Sequence, residues 1–177
     1  MNEFDVSVGI PELHHRQIIE HLLNSEGCEE AAFAFCSFIQ TAHEARFDLI
    51  EWYAVPPTGF ITRSPYFLEL TDEIRGRVIK RAHDLDTSLV EFHSHRSHWP
   101  AAFSLTDFAG FDEFVPHVWW RLKGRPYAAV VVAESSFDGI AWISDEKTSV
   151  PLTGIDVGGE FLLPTGRSSR GSVHSEK

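Results

Sequence analysis

Four residues with the chemistry of a metal site lie within fifteen positions of one another near the middle of the chain. His93 and His95 form a His-x-His pair, and after eight intervening residues Ser104 and Asp107 form a Ser-x-x-Asp pair. Two imidazoles and one carboxylate are a typical ligand set for catalytic zinc, and they leave a fourth position for water. The pattern therefore predicts a hydrolytic Zn²⁺ site with His93, His95 and Asp107 as ligands. The Ser104 hydroxyl is a candidate to stabilise an oxyanion as water attacks a carbonyl group.

A strand and a helix must position these residues. Residues 88–92 are predicted to form a short strand, and positions i and i+2 of a strand point to the same face. His93 and His95 can therefore reach one metal ion if this geometry persists to His95. Ser104 is predicted to begin the next helix, where it shares a face with Asp107 three positions later. The same Ser-x-x-Asp pattern also serves as an ordinary helix N-cap.

Hydrolysis also needs a general base to take the proton and return it to the leaving amine. Glu29 and Glu30 are the candidates, because they stand just before a nearly continuous apolar run that favours a buried strand. The period-two alternation of a strand sends them to opposite faces, so only one can face the metal. Glu91 is either a support for a ligand histidine or a solvated strand residue. His98 is predicted not to be a metal ligand. It either supports a ligand by contact or takes no part in the site.

The composition limits the classes of protein. With 177 residues, of which 43% are hydrophobic, the chain fits one globular domain, predicted over residues 1–164 with a disordered tail over 165–177. The net charge of −11 argues against nucleic-acid binding. The longest apolar runs are shorter than the roughly 20 residues of a membrane helix, and no signal-peptide pattern is seen. Cys28 and Cys36 are predicted to be reduced thiols, which suits a cytoplasmic protein.

Periodicity and turn residues predict the element order β-α-β-β-β-α-β-α-β-β. Strands are predicted at 4–10, 31–39, 47–55, 66–70, 88–92, 127–133 and 139–143. Helices are predicted at 11–24, 71–85 and 104–114, the last of them broken by Pro116. Residues 56–65 are predicted to be a loop and residues 118–122 a turn. This order indicates an α/β fold with a mixed sheet sandwiched by helices.

These residues resemble the signature of the JAMM (MPN+, or JAB) metallopeptidases. That family has an upstream Glu at the start of a strand, then His-x-His, usually seven residues, and Ser-x-x-Asp. The segments that carry the resemblance are Glu29-Glu30-Ala31-Ala32-Phe33, His93-Ser94-His95 and Ser104-Leu105-Thr106-Asp107. It covers roughly residues 5–145 and implies a JAB/MPN-like fold with layering similar to that of cytidine deaminases.

The resemblance assigns a role to each position. His93, His95 and Asp107 would bind zinc, Ser104 would stabilise the oxyanion, and Glu29 is favoured as the base because a small residue, Ala32, follows three positions later. The chain departs from the family in three places. Its spacing between His95 and Ser104 is one residue longer than usual, Arg96 replaces a frequent Pro, and Ala32 replaces the commoner Gly.

The resemblance also implies a substrate. The expected activity is that of an isopeptidase or peptidase that cleaves after the C-terminal tail of a ubiquitin-like protein, as in short bacterial members of conjugation and antiphage operons. Processing of a sulfur-carrier protein would use the same site. A non-catalytic MPN scaffold is a third possibility, although such scaffolds lack the ligands that this chain keeps. A zinc deaminase would need a Pro-Cys-x-x-Cys pair, which the chain lacks.

Overall fold

The computed structural model describes residues 4–24 and 27–168, and in them it has the predicted α/β architecture. The helices are α1 (Glu12–Leu23), α2 (Asp72–Leu85) and α3 (Leu105–Arg121), with a 3-10 turn at Pro57–Gly59. The strands are β1 (Asp5–Ile10), β2 (Ala31–Gln40), β3 (Glu44–Ala54), β4 (Phe60–Arg63), β5 (Leu68–Leu70), β6 (Ser88–Ser94), β7 (Tyr127–Val132), β8 (Phe137–Trp142), β9 (Ser149–Pro151), β10 (Gly154–Val157) and β11 (Glu160–Leu162). None of the helices in the described ranges is long and apolar enough to cross a membrane.

Nine of the strands form one mixed sheet in the order β11-β10-β1-β3-β2-β6-β7-β8-β9. Strand β1 runs parallel to both β3 and β10, and β6 runs parallel to β7, whereas the other pairs are antiparallel. Strands β4 and β5 form a separate hairpin. Strands β2 and β6 therefore lie side by side at the centre of the large sheet, with Ala31 opposite His93.

Helices cover both faces of this sheet, and each face has its own apolar core. Helices α2 and α3 pack on the face that carries Phe33, Phe35 and Leu89. Helix α1 packs on the other face through Ile18 and Leu22. Strands β6 and β7 and the first six residues of β2 are covered on both sides. Nearly all of these residues are buried, which explains why they read as continuous apolar runs.

The predicted end of α3 before Pro116 is wrong. The helix continues through this proline to Arg121, so the predicted turn at 118–122 is mostly helical. An interior proline removes one backbone hydrogen bond and costs about 3 kcal/mol relative to alanine. Val115, Val118 and Leu122 recur at helical spacing around Pro116 and are fully buried. Their burial outweighs the local penalty, since each such side chain contributes about 1.5–3 kcal/mol.

The predicted loop at residues 56–65 contains the 3-10 turn and strand β4, and strands β9 to β11 were not predicted. These strands have only three or four residues each, too few for a periodic pattern to be recognised. Residues 165–168 make hydrogen bonds to the body of the protein through Ala101, Phe103 and Asp138. The rest of the predicted tail, 169–177, lies outside the described residues.

Candidate metal centre

Strand β6 brings the two histidines to one side of the sheet. The backbone N–H of His95 donates to the Val132 carbonyl of β7 at 2.8 Å, which extends the strand pairing one residue beyond the end of β6. His95 consequently remains on the same face as His93, as period two requires. Their Nε2 atoms lie 3.2 Å apart, and the His93 side chain is only 7% exposed.

Asp107 approaches both imidazoles from the first turn of α3. Its Oδ1 lies 3.3 Å from His93 Nε2, and its Oδ2 lies 3.1 Å from His95 Nε2. These three residues form a group that can hold a metal ion. Four ligands held tetrahedrally about 2.0–2.2 Å from Zn²⁺ would be separated by about 3.4 Å from one another. The donor set and its spacing therefore fit a divalent metal ion such as Zn²⁺.

The charges of this group depend on one another. Burial alone would lower the pKa of His93, but the carboxylates of Asp107, Glu91 and Glu29 outweigh it and raise this pKa to about 9. Burial alone would raise the pKa of Asp107, yet the two imidazoles bring it far below its usual value. The centre thus holds a carboxylate that is ionised at neutral pH, as a metal ligand must be.

Ser104 is the N-cap of α3 and a direct neighbour of Asp107. Its Oγ accepts from the Asp107 backbone N–H at 3.1 Å, and its own N–H donates to Asp107 Oδ2 at 2.7 Å, which completes a capping box. The Ser104 hydroxyl also donates to Oδ2 at 2.8 Å. It must turn this hydrogen away from Asp107 before it can donate to a substrate oxygen.

Glu29 faces the histidines from a position two residues before β2. Its Oε1 lies 3.9 Å from His95 Nε2, and its side chain is 7% exposed. Burial raises the pKa of Glu29 to about 7, although the two imidazoles act to lower it. The backbone N–H of Glu29 donates to the Ser64 carbonyl at 2.9 Å, which anchors this residue to the β4–β5 hairpin. A carboxyl group with a pKa near neutrality can both accept and donate a proton.

Glu30 points to the opposite face, as the strand period predicts. Its carboxylate accepts a hydrogen bond from Arg63 and lies 4.0 Å from His21 of α1. Its backbone is fastened to Ser94 of β6 by two hydrogen bonds of 2.9 and 3.0 Å. Of the two candidate bases, only Glu29 therefore lies beside the histidines.

Replacing Arg63 by methionine is expected to lower the free energy of unfolding by about 2 kcal/mol. The substitution leaves the buried Glu30 carboxylate without its cation; the Arg63 side chain is 24% exposed, so the loss is smaller than the 3–5 kcal/mol of a fully buried pair. Urea denaturation would measure it. Arg77→Met is a matched control, because the Arg77–Glu73 pair is exposed on α2. Equal losses in the two variants would contradict the structural importance of the Arg63–Glu30 pair.

A second carboxylate lies behind His93. The Oε1 atom of Glu91 is 3.9 Å from His93 Nδ1, and the Tyr127 hydroxyl donates to Glu91 Oε2. Burial raises the pKa of both Glu91 and Tyr127. The Tyr127–Glu91 contact was not foreseen, because it joins parallel strands 36 residues apart in sequence. Of the two alternatives for Glu91, the structure favours a support for a ligand histidine over a solvated residue.

His98 does not join the group of potential ligands. Its Nδ1 pairs with Glu134 Oε2 at 2.9 Å, and both side chains are largely exposed. The two residues line a second pocket, of about 310 Å³, on the His95 side of the centre. His98 is therefore a spare residue with respect to the metal group.

The candidate centre opens into a larger pocket of about 350 Å³. Glu29, His93, Ser104 and Asp107 line it, together with residues 66–70 of the β4–β5 hairpin and residues of α3. Comparison with known proteins adds nothing to this geometry: no protein-family model matches the chain, and a search of curated proteins gives no match.

Proposed function

We propose that this protein is a zinc-dependent peptidase of the JAMM (MPN+) type that cleaves after the C-terminal tail of a ubiquitin-like protein. The observation that carries the proposal is the position of Glu29 beside the His93-His95-Asp107 group. All four residues belong to the segments that resemble the JAMM signature, and they lie close together although Glu29 precedes His93 by some sixty positions. The α/β sandwich, with the signature Glu just before a central strand, is compatible with a JAB/MPN-like fold.

The chemistry follows from the residues around the centre. His93, His95 and Asp107 would hold Zn²⁺, which supplies a Lewis acid and lowers the pKa of bound water from about 15.7 to about 7. Glu29 would accept the proton of the attacking water and return it to the amine nitrogen as the C–N bond breaks. Ser104 would donate its hydroxyl hydrogen to the oxygen of the scissile carbonyl.

The walls of the pocket favour an extended peptide as the substrate. In the described parts of the chain, β5 pairs only with β4. Its other edge can therefore offer backbone groups to an extended tail, a mode of recognition that demands little of the sequence of that tail. A ubiquitin-like protein presents such a tail. Sulfur-carrier processing would use the same site, and the choice of fusion substrate in an assay separates the two reactions.

The first test is metal binding. After removal of metal with a chelator, we expect the protein to bind one Zn²⁺ per chain, measured by calorimetry and by elemental analysis. His93→Ala should abolish stoichiometric binding because it removes one of three protein ligands. His98→Ala, which changes a histidine outside the group, should bind as the unaltered protein does. Full zinc occupancy in His93→Ala would contradict the ligand assignment.

The second test is cleavage. The zinc-loaded protein is incubated with fusions and conjugates of ubiquitin-like and sulfur-carrier proteins encoded by neighbouring genes, and products are identified by mass spectrometry. Cleavage directly after the tail supports the proposal, and the fusion that is cleaved identifies the substrate class. Binding of these proteins without cleavage would instead support the non-catalytic scaffold.

A further inference from the structure

A buried carboxylate outside the metal group holds the C-terminal part of the described chain. Asp138, the second residue of β8, is only 2% exposed. Its Oδ1 accepts the backbone N–H groups of Gly139 and Gly166 at 3.0 and 3.2 Å, and its Oδ2 accepts that of Ser168 at 2.7 Å. Burying a carboxylate is costly unless hydrogen bonds satisfy it, so these contacts bind residues 165–168 firmly to the start of β8.

The same segment, residues 165–168, also binds the loop that precedes α3, and we call it the C-terminal clasp. The Oγ of Ser168 accepts the backbone N–H of Phe103 at 2.8 Å. The hydroxyl of Thr165 donates to the Ala101 carbonyl at 2.6 Å. These contacts span 65 and 64 residues, so the clasp joins the loop to β8 from a distant part of the chain.

The loop connects the two halves of the metal group. It runs from His95 to the N-cap of α3 without regular secondary structure, and Asp107 follows in the first turn of the helix. Phe103 is its last residue before the N-cap, and the centroid of its ring lies 5.6 Å from that of the His93 ring. The position of Phe103 therefore affects both the packing of one histidine and the point at which α3 begins.

Resting on the metal centre of the proposed function, we propose that Asp138 and Ser168 are positioning residues for the metal ligands. Ligands must be held within about 0.5 Å of their productive positions, and an irregular loop does not hold them there unless other contacts fix it. Asp138 fixes the clasp, the clasp fixes Phe103, and Phe103 keeps Asp107 opposite the two imidazoles. Neither positioning residue belongs to the group of potential ligands.

The test measures binding of Co²⁺ to the metal-free, full-length protein, because the visible absorption of bound Co²⁺ reports the geometry of its ligands. Ser168→Ala removes the acceptor of the Phe103 N–H. We expect it to weaken Co²⁺ binding about fivefold, which corresponds to the roughly 1 kcal/mol of one hydrogen bond, and to alter the absorption spectrum. Ser168→Thr keeps a hydroxyl and should restore both the affinity and the spectrum.

Asp138→Asn tests the residue that fixes the clasp. Asparagine keeps the size of the side chain, but its NH₂ group cannot accept a hydrogen bond. In either orientation of the amide, this group faces a backbone N–H of the clasp. We expect Co²⁺ binding to weaken at least ~10-fold, because hydrogen bonds to a carboxylate are about twice as strong as those between neutral groups.

Thr153→Val is the matched control for a loss of stability. It removes a hydroxyl that accepts the backbone N–H of Val6 at 3.0 Å, a contact of the same kind as that between Ser168 and Phe103. Val6 lies on β1, three strands away from β6 in the sheet. We expect this control to unfold at a lower temperature and to bind Co²⁺ with normal affinity and a normal spectrum.

The outcomes separate this inference from the proposed function. Normal Co²⁺ affinity and spectrum in Ser168→Ala, with faster hydrogen exchange at the Phe103 amide, would overturn the inference alone, since the loop would then be loosened without effect on the centre. Equal weakening in Thr153→Val would also overturn it, because the loss would reflect overall stability. An unaltered protein that binds no Co²⁺ would overturn the inference together with the proposed function.

Discussion

Replacing Glu29 by glutamine is expected to lower kcat at least ~100-fold and to leave Zn²⁺ bound, because positioned general bases contribute about 10²–10⁴ to rates. Glutamine keeps the size of the side chain but cannot accept the proton of the attacking water. Glu29 lies 3.9 Å from His95 and is 7% exposed, so bulk water is poorly placed to replace it. Single-turnover cleavage of a ubiquitin-like fusion, with zinc content measured on the same sample, would test the expectation.

Glu30→Gln is the matched control for this prediction. It makes the same chemical change one residue away, but the Glu30 carboxylate binds Arg63 on the opposite face of the strand. We expect the control to unfold at a lower temperature and to keep its kcat when assayed well below that temperature. If Glu30→Gln lost activity while Glu29→Gln kept it, the base would be Glu30 and the assignment drawn from strand alternation would be wrong.

Asp107→Ala is expected to weaken zinc binding more than ~100-fold, because losing even the hydrogen-bond partner of a ligand typically costs 10- to 100-fold. Among the described residues, Asp107 is the only one whose carboxylate lies within 3.5 Å of the imidazole nitrogens of His93 and His95. Its loss removes one ligand and the negative charge that balances the cation. Competition with a chromophoric chelator would measure the change in affinity.

Asp107 also takes part in the N-terminal cap of α3, so Asp107→Ala destabilises this helix as well as removing a ligand. A control variant must therefore lose the cap but keep the ligand. Ser104→Ala removes the other half of the same capping box, and loss of such a cap typically costs about 1 kcal/mol of stability. We expect this control to weaken zinc binding by no more than about 100-fold, because it removes one hydrogen bond to Asp107 but keeps the ligand itself. Full zinc occupancy in Asp107→Ala would rule out Asp107 as a ligand.

Local periodicity was enough to predict the main parts of the candidate site. A strand at 88–92 that leads into His93 and a helix that begins at Ser104 follow from short-range patterns. The structure brings His93, His95 and Asp107 into one group, as these elements predicted. Strand alternation also predicted that Glu29 and Glu30 would face opposite sides. These inferences depend only on the spacing of residues within one element.

The remaining features depend on partners that are distant in the sequence. The Arg63–Glu30 and Tyr127–Glu91 contacts join residues 33 and 36 positions apart, and no local pattern marks either pair. The continuation of α3 past Pro116 also depends on contacts with residues that are distant in the sequence. The local rule that proline breaks a helix was outweighed by buried side chains such as Val115 and Val118, whose burial is a property of the whole fold.

The parallel pairing of β1 with β10 has a consequence for the order in which the chain folds. Val6 donates its backbone N–H to Thr153, a contact that spans 147 residues, so one edge of β1 can be satisfied only after nearly the whole domain has been synthesised. Contacts of such long range form slowly, because a large loop must be closed before they stabilise anything. Strands β2, β6 and β7, together with α3, need no such closure. We therefore expect the region of the metal ligands to acquire protection from hydrogen exchange before the edge of the sheet formed by β1, β10 and β11.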